Sequence, residues 1–315
     1  MNRHTRFRDA LRAAALGLAC VLATGAALAD GQPGFSSAQE AVDAAVAALE
    51  ANDATRLVAL LGPGSEDIVD TGDPVSNAAA RTNFLEHYKA RHALVAGDAG
   101  SMTLTVGDND WPLPVPVVQR DGKWYLDGAA GADELVYRRI GRNELGAIGV
   151  CHGFVDAQIE YAEEPRDGNA EAGVYAARLF SDEGRQDGLY WPTTDAEPMS
   201  PAGPAMADAA AEGYRAITGK RTPYHGYFYR MLFAQDASAN GGAMEYFDGG
   251  KLVRGVALLA WPAHYGLSGV KSFMVNQDGV VYEQDLGEHT DVTVQAIDSF
   301  DPGAGWSAVK VDEDD

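Results

Sequence analysis

The apolar residues of this chain change period three times, and each change narrows what it can fold into. Val42, Val46 and Leu49 recur at helical spacing, whereas Met102, Leu104 and Val106 alternate. From Asp133 the spacing is helical again, and from Tyr227 it is strand-like. A period near 3.6 buries one stripe of a helix; a period of 2 buries one face of a strand. Helices followed by strands, twice over, describe an α+β chain rather than an alternating parallel one.

Residues 1–29 stand apart from that pattern. Arg3, Arg6, Arg8 and Arg12 precede an apolar run from Ala13 to Ala23, and Ala27-Leu28-Ala29 closes the segment before Asp30. This is the layout of a secretory signal with a small-residue cleavage site, too short to stay as a spanning helix. The expected location is the periplasm or the medium. Gly17-Leu18-Ala19-Cys20 partly matches a lipoprotein box, but Gly17 occupies the place of an aliphatic residue, so no lipid anchor is expected. Cys20 would leave with the signal and Cys151 would remain alone, so packing must hold the fold without an internal disulfide.

The chain carries a formal charge of −22. Removing four arginines and one aspartate with the signal takes the mature chain to near −25. Such a surface repels phosphate backbones and anionic lipid, which excludes nucleic acid as a partner and leaves solubility as the plain role of the charge. No later stretch has the length of a membrane span, so no stable span is expected after cleavage.

Ser36 and Ser37, with Gln39 and Glu40 three residues on, form overlapping capping boxes at a helix start. A second short helix, capped by Asn52 or Asp53, ends at Gly62-Pro63-Gly64, and a third spans residues 76–92 with Phe84, Leu85 and Tyr88 inward. After the strand at Met102 comes Trp111-Pro112-Leu113-Pro114-Val115-Pro116-Val117-Val118. Alternate prolines remove amide donors along one side, which predicts an edge strand or a polyproline-like segment. Asp121-Gly122 then turns the chain into Lys123-Trp124-Tyr125-Leu126. Residues 30–132 thus resemble the cone-shaped nuclear-transport-factor-2-like fold: helices against a bent antiparallel sheet. The resemblance implies a small ligand held in the cone, with Tyr88 and Trp111 as binding candidates and His87, His92 and Asp110 as a conceivable Asp/His group. The plainer reading puts both histidines on an exposed helix face.

Residues 133–300 form the second expected domain. A helix from Asp133 to Glu164 carries Leu135, Leu145, Ile148, Cys151, Phe154, Val155 and Ile159 along one stripe. Gly141, Gly146, Gly149 and Gly153 weaken it, and close packing on a sheet is their expected reason. A Gly- and Pro-rich stretch follows, with a short helix over Ala205–Ala216 and Tyr190-Trp191-Pro192 tucked against the body. Strands are expected over Tyr227–Phe233, Leu252–Trp261, Val270–Val275 and Val280–Tyr282, joined as an antiparallel meander. Residues 301–315 read as an acidic tail.

Three segments together carry a resemblance. They are Ile140-Gly141-Arg142-Asn143-Glu144-Leu145 running into Asp156-Ala157-Gln158-Ile159-Glu160-Tyr161-Ala162, then Asp187-Gly188-Leu189-Tyr190-Trp191-Pro192 with Pro223-Tyr224-His225-Gly226-Tyr227. The last is Trp261-Pro262-Ala263-His264-Tyr265-Gly266, leading to Phe273-Met274-Val275-Asn276-Gln277-Asp278-Gly279-Val280-Val281-Tyr282. Through them the chain resembles an exported bacterial domain-of-unknown-function family, number 2950, across nearly all of the mature protein. The resemblance implies no activity. Ala157-Gln158 with Tyr161, the Gly226-Tyr227 strand and the strand ending in Asp278-Gly279 also resemble the soluble part of type IV pilins and pseudopilins. Gln39 replaces their glutamate, and Asp43, Glu50 and Asp53 interrupt the apolar helix, so filament assembly is not expected even if the fold is shared.

Chemistry-bearing motifs are sparse. Cys151 and His152 are adjacent on a helix and point about 100° apart, too far to pair as nucleophile and base. Cys151 reads instead as a small buried hydrophobe. No serine-nucleophile elbow, zinc-protease motif or phosphate-gripping loop occurs, and no cofactor or metal is expected. Asn276, Asp278, Glu283 and Asp285 do not fit a calcium loop, and Asp278-Gly279 reads as a hairpin turn. His225 and His264 lie at strand ends predicted to be neighbours. With Tyr224, Tyr227, Trp261 and Tyr265 they make a second set of binding candidates on an aromatic rim. The ranked expectation is a non-enzymatic envelope protein that binds a protein partner, then a periplasmic small-ligand binder using the first domain's cone, then a hydrolase.

Overall fold

The computed structural model describes residues 31–194, 197–205, 223–303 and 305–310. The expected signal segment, Asp312–Asp315 and all but Ala205 of the helix over Ala205–Ala216 lie outside the described residues. The chain from Gln32 onward is one compact unit, with helices and antiparallel sheets in the α+β arrangement that the periods demand.

The first half opens with α1 (Ala38–Glu50), capped by Ser37, whose Oγ accepts from the Glu40 amide. The Glu40 carboxylate reaches back to both the amide and the hydroxyl of Ser36, so the two overlapping boxes resolve into one, offset by a residue. Asp53 caps α2 (Ala54–Leu61), and α3 (Glu66–Val69) is a single turn. Asp73 caps α4 (Pro74–Ala90), where Pro74 sits in the first turn and no amide is wasted. The sheet follows: β1 (His92–Ala96), β2 (Met102–Val106), β3 (Trp111–Pro112), β4 (Val117–Arg120) and β5 (Lys123–Leu126), in the order β1-β2-β4-β5 with β3 also on β2.

The proline run meets the expectation in part. Its start, β3, pairs with β2 alone, as an edge does, whereas its end enters β4, which lies between β2 and β5. Pro112 faces Thr105 and Val117 faces Met102, which leaves two more residues on the proline side than on β2. Pro114 and Pro116 fall inside this bulge, where there is no ladder bond for their missing amides to break. The bulge bends the sheet toward α5 (Gly128–Ala162), capped by Asp127. A Cβ at Gly131 would stand 2.7 Å from the Pro114 carbonyl oxygen, so the glycine permits this approach.

Helix α5 begins earlier than Asp133 and serves both halves of the molecule. Leu135 packs on the first core, made of Val42, Leu60, Leu104, Val115, Val117 and Leu126. Arg139 then donates to the carbonyls of Asp67 (2.9 Å) and Ile68 (3.4 Å) around α3. One turn on, Asn143 donates to the Ser268 carbonyl (2.9 Å), and Glu144 accepts the amides of Val270 and Lys271. The buried stripe continues through Ala147, Cys151, Phe154 and Gln158. Two residues expected on it are not there: Leu145 is 72% exposed and Ile159 48%. The glycine expectation also needs correction. Nothing lies within 4 Å of a Cβ built at Gly141, Gly149 or Gly153; only Gly146 is packed, against His225.

The second sheet runs β14-β13-β12-β11-β6, all antiparallel. Its strands are β6 (Tyr227–Leu232), β11 (Ala257–Pro262), β12 (Lys271–Asn276), β13 (Tyr282–Asp285) and β14 (Ser307–Ala308). Between β6 and β11 the chain makes two short ribbons, β7 (Ala234–Gln235) with β8 (Met244–Glu245) and β9 (Phe247–Asp248) with β10 (Lys251–Leu252). The strand expected from Leu252 therefore divides, and its central part starts at Ala257. Every residue of β11 is buried, with α5 among the elements covering it. The residues expected to start the tail at 301 are drawn back onto this sheet. Ser307 and Ala308 pair with β13, and Trp306 and Val309 pack on the core. Trp191 is buried as expected, its ring edge-on to Tyr161.

Candidate functional site

The first half holds a half-open cavity of about 630 Å³ between its helices, the bulged sheet and the start of α5. Its apolar wall comes from Val42, Leu57, Leu61, Leu104, Val115 and Val117. The curvature follows from the sequence: the bulge bends the sheet, and short α2 and α3 leave a gap that α4 and α5 close only in part. This volume is in the usual range for a small-molecule site.

The polar part of the lining comes from α4, α5 and the segments before α2 and α4. Arg81 of α4 and Arg139 and Arg142 of α5 line it, together with Asp53, Asp70 and Asn77. Both carboxylates are already engaged. Asp53 accepts the Arg56 amide, and Asp70 accepts the Gly72 amide and the Asn77 side chain. Among the described residues, none of the three guanidinium groups has a carboxylate within ion-pair distance, although most other arginines do. Arg139 is 6% exposed. Burial, then the charge of Arg142, pull its pKa below the usual arginine value, with Asp67 opposing them.

The residues singled out from the sequence are placed differently. Tyr88 is buried between α4 and α1, stacked on His92 at 3.9 Å and away from the cavity lining. Burial first, and then the charge of Asp43, push its phenol up. Trp111 is 57% exposed on β3 with the Arg138 guanidinium 4.9 Å above its ring. His92 Nδ1 meets the Tyr88 carbonyl, and Asp110 pairs with Arg91, so Asp110 and the histidines form no working pair. Sequence reasoning missed the arginines of the cavity. The available signal was the spacing Arg139 to Arg142, one turn apart on α5, ahead of the apolar stripe.

The aromatic rim is dispersed. Tyr227 is fully buried, donates to the Lys271 carbonyl (2.8 Å), and has its phenol pushed far up by burial and by Glu144. Trp261 is also core, its ring near Phe228. The Ala263 amide donates to the Gly226 carbonyl, so the two strand ends are neighbours as expected. Their histidines pack on different segments: His225 on Gly146 of α5, and His264 on Gly72 in the loop before α4. The rings of Tyr224 and His225 lie 4.1 Å apart and tilted by 50°, while Tyr265 donates to Asp285. Asn276 accepts the Asp278 amide in a hairpin turn rather than a calcium loop. Among the described residues there is no cluster of three or more metal-ligating side chains, and no helix is long and apolar enough to cross a membrane.

A family profile described as "Protein of unknown function (DUF2950)" matches residues 32–309. The chain belongs to that family. The match covers both cores and the helix between them, so the cavity lies within what the DUF2950 profile spans. Neither a curated protein nor a solved structure matches the chain.

Proposed function

We propose that this DUF2950 member is an exported small-ligand-binding protein, and that its ligand enters the cavity of the first half. The observation that carries the reading is the cavity itself: about 630 Å³, with an apolar lining from helices and sheet and a few charged side chains among it. The helices on a bent, bulged sheet support a cone of the nuclear-transport-factor-2-like kind. The long helix on an antiparallel meander supports a pilin-like second half used as a scaffold. Residues 1–29 support export, and the lone Cys151 suits a compartment in which free thiol pairs oxidise. The protein-interaction reading is weaker than the sequence suggested, because Tyr227 and Trp261 are core residues rather than surface ones.

The test uses the mature protein and the neutral fluorescent probe N-phenyl-1-naphthylamine. We expect fluorescence enhancement on binding, and its loss in Ala45→Phe or Ala78→Phe, which fill the cavity from α1 and α4. Circular dichroism establishes that the variants keep the fold. Undiminished binding by both folded variants would remove the cavity as the site.

A further inference from the structure

We infer that the cavity selects an amphiphile with a single acidic head group, a carboxylate held by Arg139 and Arg142 with Arg81 opposite and an apolar tail against Leu57, Leu104 and Val117. This rests on the cavity being a ligand site and goes on to name the ligand's chemistry. Three observations lead to it. First, in a chain with 46 acidic and 24 basic residues, most described arginines have a carboxylate partner. Three arginines without one converge on one cavity, among the described residues.

Second, Arg139 is buried yet donates only to two backbone carbonyls, those of Asp67 and Ile68. A guanidinium has five N–H donors, and a buried charge is ordinarily paired. Arg139 lines the cavity, and a guanidinium there can hold a planar oxyanion in bidentate fashion. Third, the lining joins an apolar wall to cations confined to two helices. The arginines lie on α4 and α5, whereas the sheet contributes Leu104, Val115 and Val117 with no polar side chain among them. A small hydrophilic anion leaves that wall unused, and a neutral hydrocarbon leaves the arginines unmet. Asp53 and Asp70 also line the cavity, each accepting through Oδ1, from the Arg56 amide and from the Gly72 and Asn77 donors, and the three guanidinium charges outnumber these two carboxylates.

The experiment is displacement of N-phenyl-1-naphthylamine by three ligands of equal chain length: dodecanoate, dodecanol and dodecylamine. We expect dodecanoate to displace it at about tenfold lower concentration than dodecanol, the margin of one charge-assisted hydrogen-bonded pair. Dodecylamine should be the weakest. Arg142→Gln and Arg81→Gln remove head-group contacts from positions that are not buried, so the fold should persist. Each should narrow the carboxylate-to-alcohol ratio. Arg139→Lys keeps a charge but not the fork, and should narrow the ratio as well. Equal displacement by dodecanoate and dodecanol, or a preference for the amine, overturns the inference and leaves the cavity reading standing. Failure of the probe to bind the unmodified protein overturns both.

Discussion

Cys151 lies on the buried stripe of α5 with no accessible surface, and burial pushes its thiol from 9.0 up to about 12. The thiol is the unreactive form, so the residue is a packing group and no nucleophile. The same shift sets a pH dependence. Its folded pKa is raised, so the proton is held more tightly in the folded state. Its contribution to stability is therefore full below about pH 9 and is lost as pH rises toward 12. Tyr161, raised from 10.0 to about 12 chiefly by burial, acts with the same sign. The urea midpoint should fall between pH 9 and 12, and Cys151→Ala should flatten the lower part of that fall. A thiol reagent should label Cys151 only once urea has unfolded the chain; rapid labelling of native protein would contradict its burial. Arg139 carries a prediction as well. Arg139→Met removes both donors to α3 and should lower the unfolding free energy from urea titration by about 1–3 kcal/mol, because two carbonyls lose their partners.

At the scale of elements, the glycines of α5 separate into two kinds. A Cβ at Gly131 meets the Pro114 carbonyl at 2.7 Å, and one at Gly128 meets that of Leu61 at the same distance. Gly149 and Gly153 are exposed and face open space. Gly149→Ala and Gly153→Ala should each stabilise by about 0.5–1 kcal/mol, since only the entropy cost of glycine in a helix is removed. Gly131→Ala should destabilise by about 1–3 kcal/mol because backbone must move to admit the methyl. Thermal melts of the three variants check both signs, and a stabilising Gly131→Ala would mean that the bulge does not press on the helix. The Asp121-Gly122 turn is the simpler case. Both residues have positive φ, 50° and 76°, as a two-residue hairpin requires, and the dipeptide alone announced it.

Across the whole molecule, α5 joins two cores that would otherwise be separate. Its first turns complete the arginine-bearing wall of the cavity, and its later turns bury Ala147, Cys151 and Phe154 under the second sheet. Trp111 and Trp124 report on the first half; Trp191, Trp261 and Trp306 on the second. Thermal unfolding followed by fluorescence of variants that keep tryptophans in one half only should give coincident transitions. Two separated midpoints would show that α5 does not couple the cores. Residues 30–132 expressed alone should lose cooperative unfolding, because Leu135 and Arg139 are then missing from the first half.

The sequence by itself determined the local events. Helix caps at Ser37 and Asp53, the Asp121-Gly122 turn, the switches of period and the burial of Cys151 all depend on neighbours a few residues away. Those neighbours are visible along the chain. What lay beyond reach depended on partners distant in sequence. Proline positions suggested an edge, yet whether a bulge absorbs the missing donors is settled by the register between Thr105 and Pro112. Hydrophobicity placed Leu145 inward and overlooked Arg139, Asn143 and Gln158. Their burial is acceptable only because carbonyls of Asp67, Ser268 and Ala176 stand opposite them. Tyr88 and Trp111 looked like cone ligands, but α1 covers one and solvent reaches the other. The arginine-lined cavity arises from five helices and a bent sheet meeting at one place, and only the tertiary structure brings those charges together.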